Sequence, residues 1–343
     1  MKSNFDFLNR YWPALAQIGA TAETYVYSDP NACIYKLGMF AERLVQEILV
    51  FEHIAEPAVD NTHANRIRIL KRAGLLPHEI DNTLYVLRKT RNSAVHTGTD
   101  SVDEAKTLLS LTYNLAVWFM ETYGDWGYIA PEFVMPSETT HEDLESVIVE
   151  QERKIEELTK QLAVVKTAAS GKTQKERARR SESVSAMMNW NEAQTRCLID
   201  EQLRLSGWEA DTQNLRYSKG TRPVKGRNIA ISEWPTNSAF YKNGYADYAF
   251  FIGEKLVALM DAKKMSEDVA STIDVQVKDY AAHIKPEDIP HTVGNWNGYQ
   301  VPFLFASNGR AYLEQLRTKS GIWFLDVREQ ENQPYPIRNW FSP

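Results

Sequence analysis

Asp247, Asp261 and Lys263 bracket an apolar run in the stretch YADYAFFIGEKLVALMDAKK, residues 245–264, with the spacing D-(x)13-D-x-K. Charges beside strand-like apolar residues are costly unless they are solvated, paired or bound to a metal. If the three groups converge, they make a site for a hard divalent cation. Mg2+ takes oxygen ligands and typically uses only one or two carboxylates, leaving the rest of its shell to water and phosphate. Such an ion lowers the pKa of a bound water and shields charge developing on a phosphodiester. An ammonium such as that of Lys263 could then orient the attacking water and stabilise the pentacovalent state. The same spacing also fits a surface hairpin that carries a salt bridge.

Convergence requires a hairpin. DYAFFI and LVALMDAKK are separated by the short turn Gly253, Glu254, Lys255, so the start of the first strand is expected beside the end of the second. Side chains alternate at period two. Asp261 and Lys263 therefore share one face, Met260 and Ala262 point to the other, and the acids are expected opposite an apolar face. Around this hairpin the sequence reads as a helix in WNEAQTRCLIDEQLRLSGW stopped at Gly207, and a strand over Asn228 to Trp234. A helix follows around Ser271 to Ile284, then two strands in VPFLFASNGR and GIWFLDVRE. That order predicts an α/β domain over 184–343.

The first 135 residues have a different period. Ile34, Leu37, Ala41, Leu44 and Ile48 step by three and four, and SVDE at Ser101 to Glu104 reads as a capping box before Ala105, Leu108, Thr112 and Phe119. An all-α domain is expected there. Residues 136–183 read as a helical connector. Leu144, Ile148, Gln151, Ile155, Leu158, Leu162 and Val165 fit a and d heptad positions, which permits either a short coiled coil or a solvated helix. The basic segment SGKTQKERARRSES follows, expected as a mobile connector or a surface helix. Its GKT is not a phosphate-binding loop, because Lys166 stands where that motif needs glycine.

The net charge of −6 over 343 residues excludes a global attraction to polyanions, so any nucleic-acid contact must be local. Cys33 and Cys197 have no metal-binding or disulfide spacing. With no signal-peptide core and no apolar span of membrane length, a soluble cytoplasmic protein without membrane contact is expected.

The order NEAQTR…LI…L…GW, EWP, YADYAFF, LVALMDAKK, QVKDY and VPFLFASNGR, spanning Asn189 to Pro343, resembles the PD-(D/E)xK endonuclease domain at the N-terminus of the R subunits of type I restriction-modification enzymes. That family commonly has Glu where this chain has Asp261. The resemblance implies that Asp247 and Asp261 are metal ligands and Lys263 the catalytic lysine, with Glu192 matching an upstream acid. Gln276 and Tyr280 match a RecB-like QxxxY accessory motif that holds DNA or braces the catalytic groups. Arg216, Lys219, Arg222, Lys225 and Arg227 form a basic loop suited to phosphate contacts, which position DNA without reading it.

In the helical domain, Arg91 and His96 give an R-x4-H spacing that resembles HEPN-type domains, some of which cut RNA. The same pair also reads as helix-packing groups, with Glu42 a partner for Arg91. The resemblance to the R subunit implies a Mg2+-dependent endonuclease acting on foreign double-stranded DNA. Its partners would be the methyltransferase and specificity subunits, and ATP would be used by motor domains outside this chain, which ends at NWFSP, about where a motor would begin. A non-catalytic module that docks DNA or partners, and an HEPN-type ribonuclease, are the competing expectations.

Overall fold

The computed structural model describes residues 3–56, 59–97, 101–138, 144–159, 167–188, 190–238, 244–265, 267, 269–310, 312 and 317–343. The chain separates into two compact units, Met1–Met188 and Asn189–Pro343.

The N-terminal unit is helical among its described residues: α1 Pro13–Ser28, α2 Pro30–Phe51, α3 His63–Arg72, α4 His78–Thr97, α5 Val102–Phe119, α6 Leu144–Thr159 and α7 Gln174–Met187. Proline starts α1 and α2, where a missing N–H is harmless, and the Asp29 carboxylate accepts from the Ala32 amide to cap α2. Of the predicted capping box the structure shows the Ser101 half, its hydroxyl accepting from the Glu104 amide at 3.2 Å. Ile34, Leu37, Ala41, Leu44 and Ile48 are all buried, as their spacing requires. At Gly38 a side chain would collide with the stem of Arg91, so glycine lets α4 approach α2 closely.

The segment expected as a connector is docked on this unit where it is described. Glu152 of α6 binds Lys36 Nζ at 2.6 Å, and Ile155 is buried. Leu162 and Val165 of the heptad seam lie outside the described residues. The basic segment forms α7 rather than a mobile tether. Thr173 and Glu176 cap it reciprocally, and Arg177 Nη2 pairs with the fully buried Glu52 at 2.5 Å. The Ser181 hydroxyl accepts from Trp118 Nε1 at 3.2 Å. Apolar periodicity misses α7 because its docking face is polar and hydrogen-bonded.

The C-terminal unit opens with α8, Glu192–Leu205, capped by Asn191 and ended by Gly207 in the left-handed region (φ 96°). A seven-stranded sheet follows in chain order: β1 Glu209–Ala210, β2 Asn228–Pro235, β3 Tyr245–Ile252, β4 Lys255–Ala262, β5 Phe303–Ser307, β6 Ile322–Asp326 and β7 Tyr335–Pro336. The β1–β2 and β4–β5 pairs are parallel and the remaining pairs antiparallel. Between β4 and β5 runs helical chain, α9 Ala270–Thr272 and α10 Lys278–Ala282, joined by the π turn Ile273–Val277.

Both faces of the sheet are apolar. Ile199 and Leu203 of α8 pack with Tyr248, Phe250 and Met260, while Ile273, Val277 and Tyr280 pack with Ile231, Ala249 and Leu259 on the other side. The expectation of an apolar face opposed to a charged one is therefore corrected: the charges of β3 and β4 lie near the ends of those strands.

Candidate active site

The hairpin forms with Ile252 paired to Lys255 across the two-residue turn Gly253–Glu254, Gly253 taking φ 58° as such a turn demands. Its register carries Tyr248 opposite Met260, so Asp247 and Asp261 come one step further along, at the open end. Asp247 Oδ2 accepts from the main-chain amide of Ala262 at 2.6 Å. The residues are 5% and 3% exposed respectively, so both acids are buried at a strand end instead of riding on a solvated hairpin.

Lys263 Nζ lies 2.7 Å from Asp261 Oδ2. Gln276, in the π turn, bridges the two: its amide nitrogen donates to Asp261 Oδ1 at 2.8 Å, and its oxygen accepts from Lys263 Nζ at 2.8 Å. The same nitrogen lies 2.7 Å from the Tyr280 hydroxyl, so the QxxxY pair is one continuous brace against the acid and the lysine. π turns often mark functional positions in helices, and here one directs Gln276 to the strand ends.

Two residues that the spacing arguments missed complete the arrangement. Arg196 of α8 is bound to Asp247 Oδ1, lies 2.7 Å from Glu192 Oε1, and is 3.7 Å from Glu233 Oε1. Glu192 thus reaches the site through Arg196. Glu233, in β2, adopts the left-handed region (φ 54°) and also binds Arg216 Nη1 at 3.3 Å. The i,i+4 spacing of Glu192 and Arg196 was a legible sign of their pairing.

Burial is the largest influence on Asp247, Asp261 and Lys263. It raises the Asp247 carboxyl, against the lowering effects of Arg196 and the Ala262 amide. Burial, and next the charge of Asp247, raise Asp261, against Lys263. Burial opposes the charge on Lys263, but Asp261 outweighs it and the ammonium is held above its usual range. A carboxylate whose proton affinity is raised by a neighbouring carboxylate also favours a cation placed between the two. The donor set is entirely hard oxygen, which fits Mg2+ through Asp247 and Asp261. Among the described residues no cluster of three or more His, Cys, Asp or Glu side chains is arranged to hold an ion, so any shell must be completed by water or phosphate.

The basic loop is partly committed to protein contacts. Arg227 pairs with Glu209 at 2.5 Å, and the Arg222 guanidinium stacks 3.7 Å from the Tyr217 ring centroid. Lys219 and Lys225 are exposed. In the helical unit Arg91 Nη1 binds Glu42 at 2.6 Å, and the His96 side chain lies outside the described residues. Among the described residues no helix is long and apolar enough to cross a membrane.

A family model described as the second domain of the type I restriction enzyme EcoKI endonuclease subunit matches residues 209–343, which hold the hairpin, Lys263 and the Gln276–Tyr280 brace. The type I restriction enzyme EcoKI endonuclease subunit of Escherichia coli (strain K12) is 28% identical over 416 aligned positions, covering 100% of this chain. The chain spans 35% of that relative's length. No solved structure matches it. The two matches relate this chain to an N-terminal part of the R subunit of a type I restriction-modification enzyme.

Proposed function

We propose that the C-terminal unit is a PD-(D/E)xK-type nuclease domain that hydrolyses phosphodiester bonds of double-stranded DNA with Mg2+, as part of a type I restriction R subunit. The observation that carries this reading is the meeting of Asp247, Asp261 and Lys263 at one end of the β3–β4 hairpin, braced by Gln276. The matched relative is named as an endonuclease subunit, which supports the same reading.

Asp247 and Asp261 would hold the ion, which when bound supplies an activated water and shields negative charge at phosphorus. Lys263 positions the attacking water and faces the oxygens on which charge develops. Gln276 fixes the lysine and the acid relative to each other, so that neither must be ordered when substrate arrives. Tyr280 fixes Gln276. Exposed cations of the 216–227 loop, Lys219, Arg222 and Lys225, attract the DNA backbone without reading its bases. Motor domains that use ATP, and the methyltransferase and specificity subunits, are the expected partners outside this chain. Arg91 is committed to Glu42 in helix packing, so the helical unit is assigned no cleavage role.

The test is plasmid nicking in Mg2+ by the chain and by its Asp261→Ala variant. Nicking is expected from the first and lost in the second. Cleavage that persists at the same rate in the variant removes the site assignment.

A further inference from the structure

The site holds a cation already. Arg196 carries a side chain only 12% exposed, and its Nη2 donates to Asp247 Oδ1. The other oxygen of Asp247 is bound to the Ala262 amide, which the sheet fixes. Oδ1 is therefore the oxygen from which a movable group must withdraw before a metal ion can take it. Arg196 is imperfectly satisfied where it lies, since its buried Nε has no hydrogen-bond partner. A second acceptor stands within reach: Glu233 Oε1 is 3.7 Å from Nη1. That acid is held in a left-handed backbone conformation and shared with Arg216 at 3.3 Å, and Arg216 opens the basic loop.

An alternating row of charges, Arg216, Glu233, Arg196 and Asp247, thus runs from a surface loop to the buried carboxylate. We propose that Arg196 is a positioning residue that keeps Asp247 closed to a divalent cation until Glu233 receives it, and that a DNA phosphate on Arg216 frees Glu233 to do so. The inference rests on the metal-dependent nuclease reading. Its physical basis is competition: a guanidinium and a divalent ion repel each other and cannot both occupy Oδ1. A phosphate that engages Arg216 weakens the hold of Arg216 on Glu233 and leaves that acid a stronger acceptor for Arg196. Metal binding and backbone binding are then coupled, and by reciprocity each strengthens the other.

The experiment is a titration of the 343-residue chain with Mn2+, free ion being read by electron paramagnetic resonance, with and without a short DNA duplex whose own Mn2+ binding is subtracted. Wild-type protein is expected to bind weakly alone and more tightly with DNA. Arg196→Ala and Arg216→Ala should each bind Mn2+ about five-fold or more tighter without DNA, and should lose most of the gain that DNA gives. Glu233→Gln should bind more weakly than wild type with or without DNA. Neighbouring substitutions that shift affinity in opposite directions are not the result of general loosening. Arg216→Ala alters a partly exposed loop side chain, so it carries the test even if Arg196→Ala fails to fold. If Mn2+ binding disappears in Asp261→Asn but is unchanged in Arg216→Ala and Glu233→Gln, the gate is refuted while the metal site stands. If no variant shows binding that depends on Asp261, the nuclease reading fails and this inference with it.

Discussion

Asp247 fastens β3 to β4 through a side chain rather than through the sheet ladder: its Oδ2 takes the Ala262 amide at 2.6 Å while Oδ1 holds Arg196. Removing it strands a buried amide and takes from the buried Arg196 guanidinium its buried carboxylate partner, leaving it the more exposed Glu192 and Glu233. Asp247→Ala is expected to destabilise the C-terminal unit by roughly 2–4 kcal/mol in denaturant unfolding. Asp261→Ala should change stability by less than about 1 kcal/mol, because burial and the charge of Asp247 already disfavour its carboxylate. Both variants should lose nicking. Equal destabilisation by the two would show that Asp247 has no such fastening role.

Gln276 has no charge to contribute, so its effect is geometric. Gln276→Ala should lower the nicking rate by at least about ten-fold while the unfolding midpoint stays near wild type. Gln276→Glu should be worse, since it turns an acceptor toward Asp261 Oδ1 in place of a donor. Tyr280→Phe, which removes only the far end of the brace, should have the mildest effect. Rates measured with plasmid under saturating Mg2+ decide the order.

Arg177 and Glu52 form an ion pair whose side chains are 9% and 0% exposed. Breaking a buried pair from one side leaves an uncompensated charge. Arg177→Ala is expected to destabilise the helical unit by about 3 kcal/mol, whereas Arg177→Met with Glu52→Leu should recover most of that. Thermal unfolding followed by circular dichroism checks both. A double variant as unstable as the single one would mean that α7 needs the charges themselves.

His63 is buried, neither ring nitrogen has a partner, and burial followed by neighbouring Arg88, Arg91 and Arg66, against Glu42, depresses its pKa from 6.5 to about 4. The folded helical unit therefore binds fewer protons here than the unfolded chain. Stability from this group is complete above pH 6.5 and is lost as pH falls toward 4. The full loss is at most about 3 kcal/mol. Comparing wild type with His63→Asn between pH 7.5 and 4.5 should show the wild type losing more stability on acidification. Parallel pH profiles would remove His63 as a source of that dependence.

The strong periodicities were readable. Step-of-three-and-four spacing gave α2 and α5, Ser101 gave a cap, and an apolar run broken by Gly253 gave the hairpin and the neighbourhood of its two acids. What escaped was held by other means. The short strands β1 and β7 carry too few residues for a period to register. The helix α7 docks through Arg177, Ser181 and Ser185, polar groups that a hydrophobic pattern assigns to solvent. Arg196 and Glu233 were invisible as site residues because their importance comes from contacts that join α8, β2 and β3 only after folding. Single-strand alternation likewise could not show that the face bearing Asp261 is apolar too.

The π turn over Ile273–Val277 holds one residue more than an ordinary helix would in the same space. Each residue of a helix advances about 100° around its axis, so the turn decouples the phase of what precedes it from the phase of Gln276 and Tyr280. Val275 within it is 64% exposed and contributes little packing. Deleting that residue would force a choice between seating Ile273 in the apolar layer and aiming Gln276 at Lys263. An in-frame loss of one codon at this exposed position would thus trade core packing against the rate of the reaction, a compromise that no substitution at Val275 imposes.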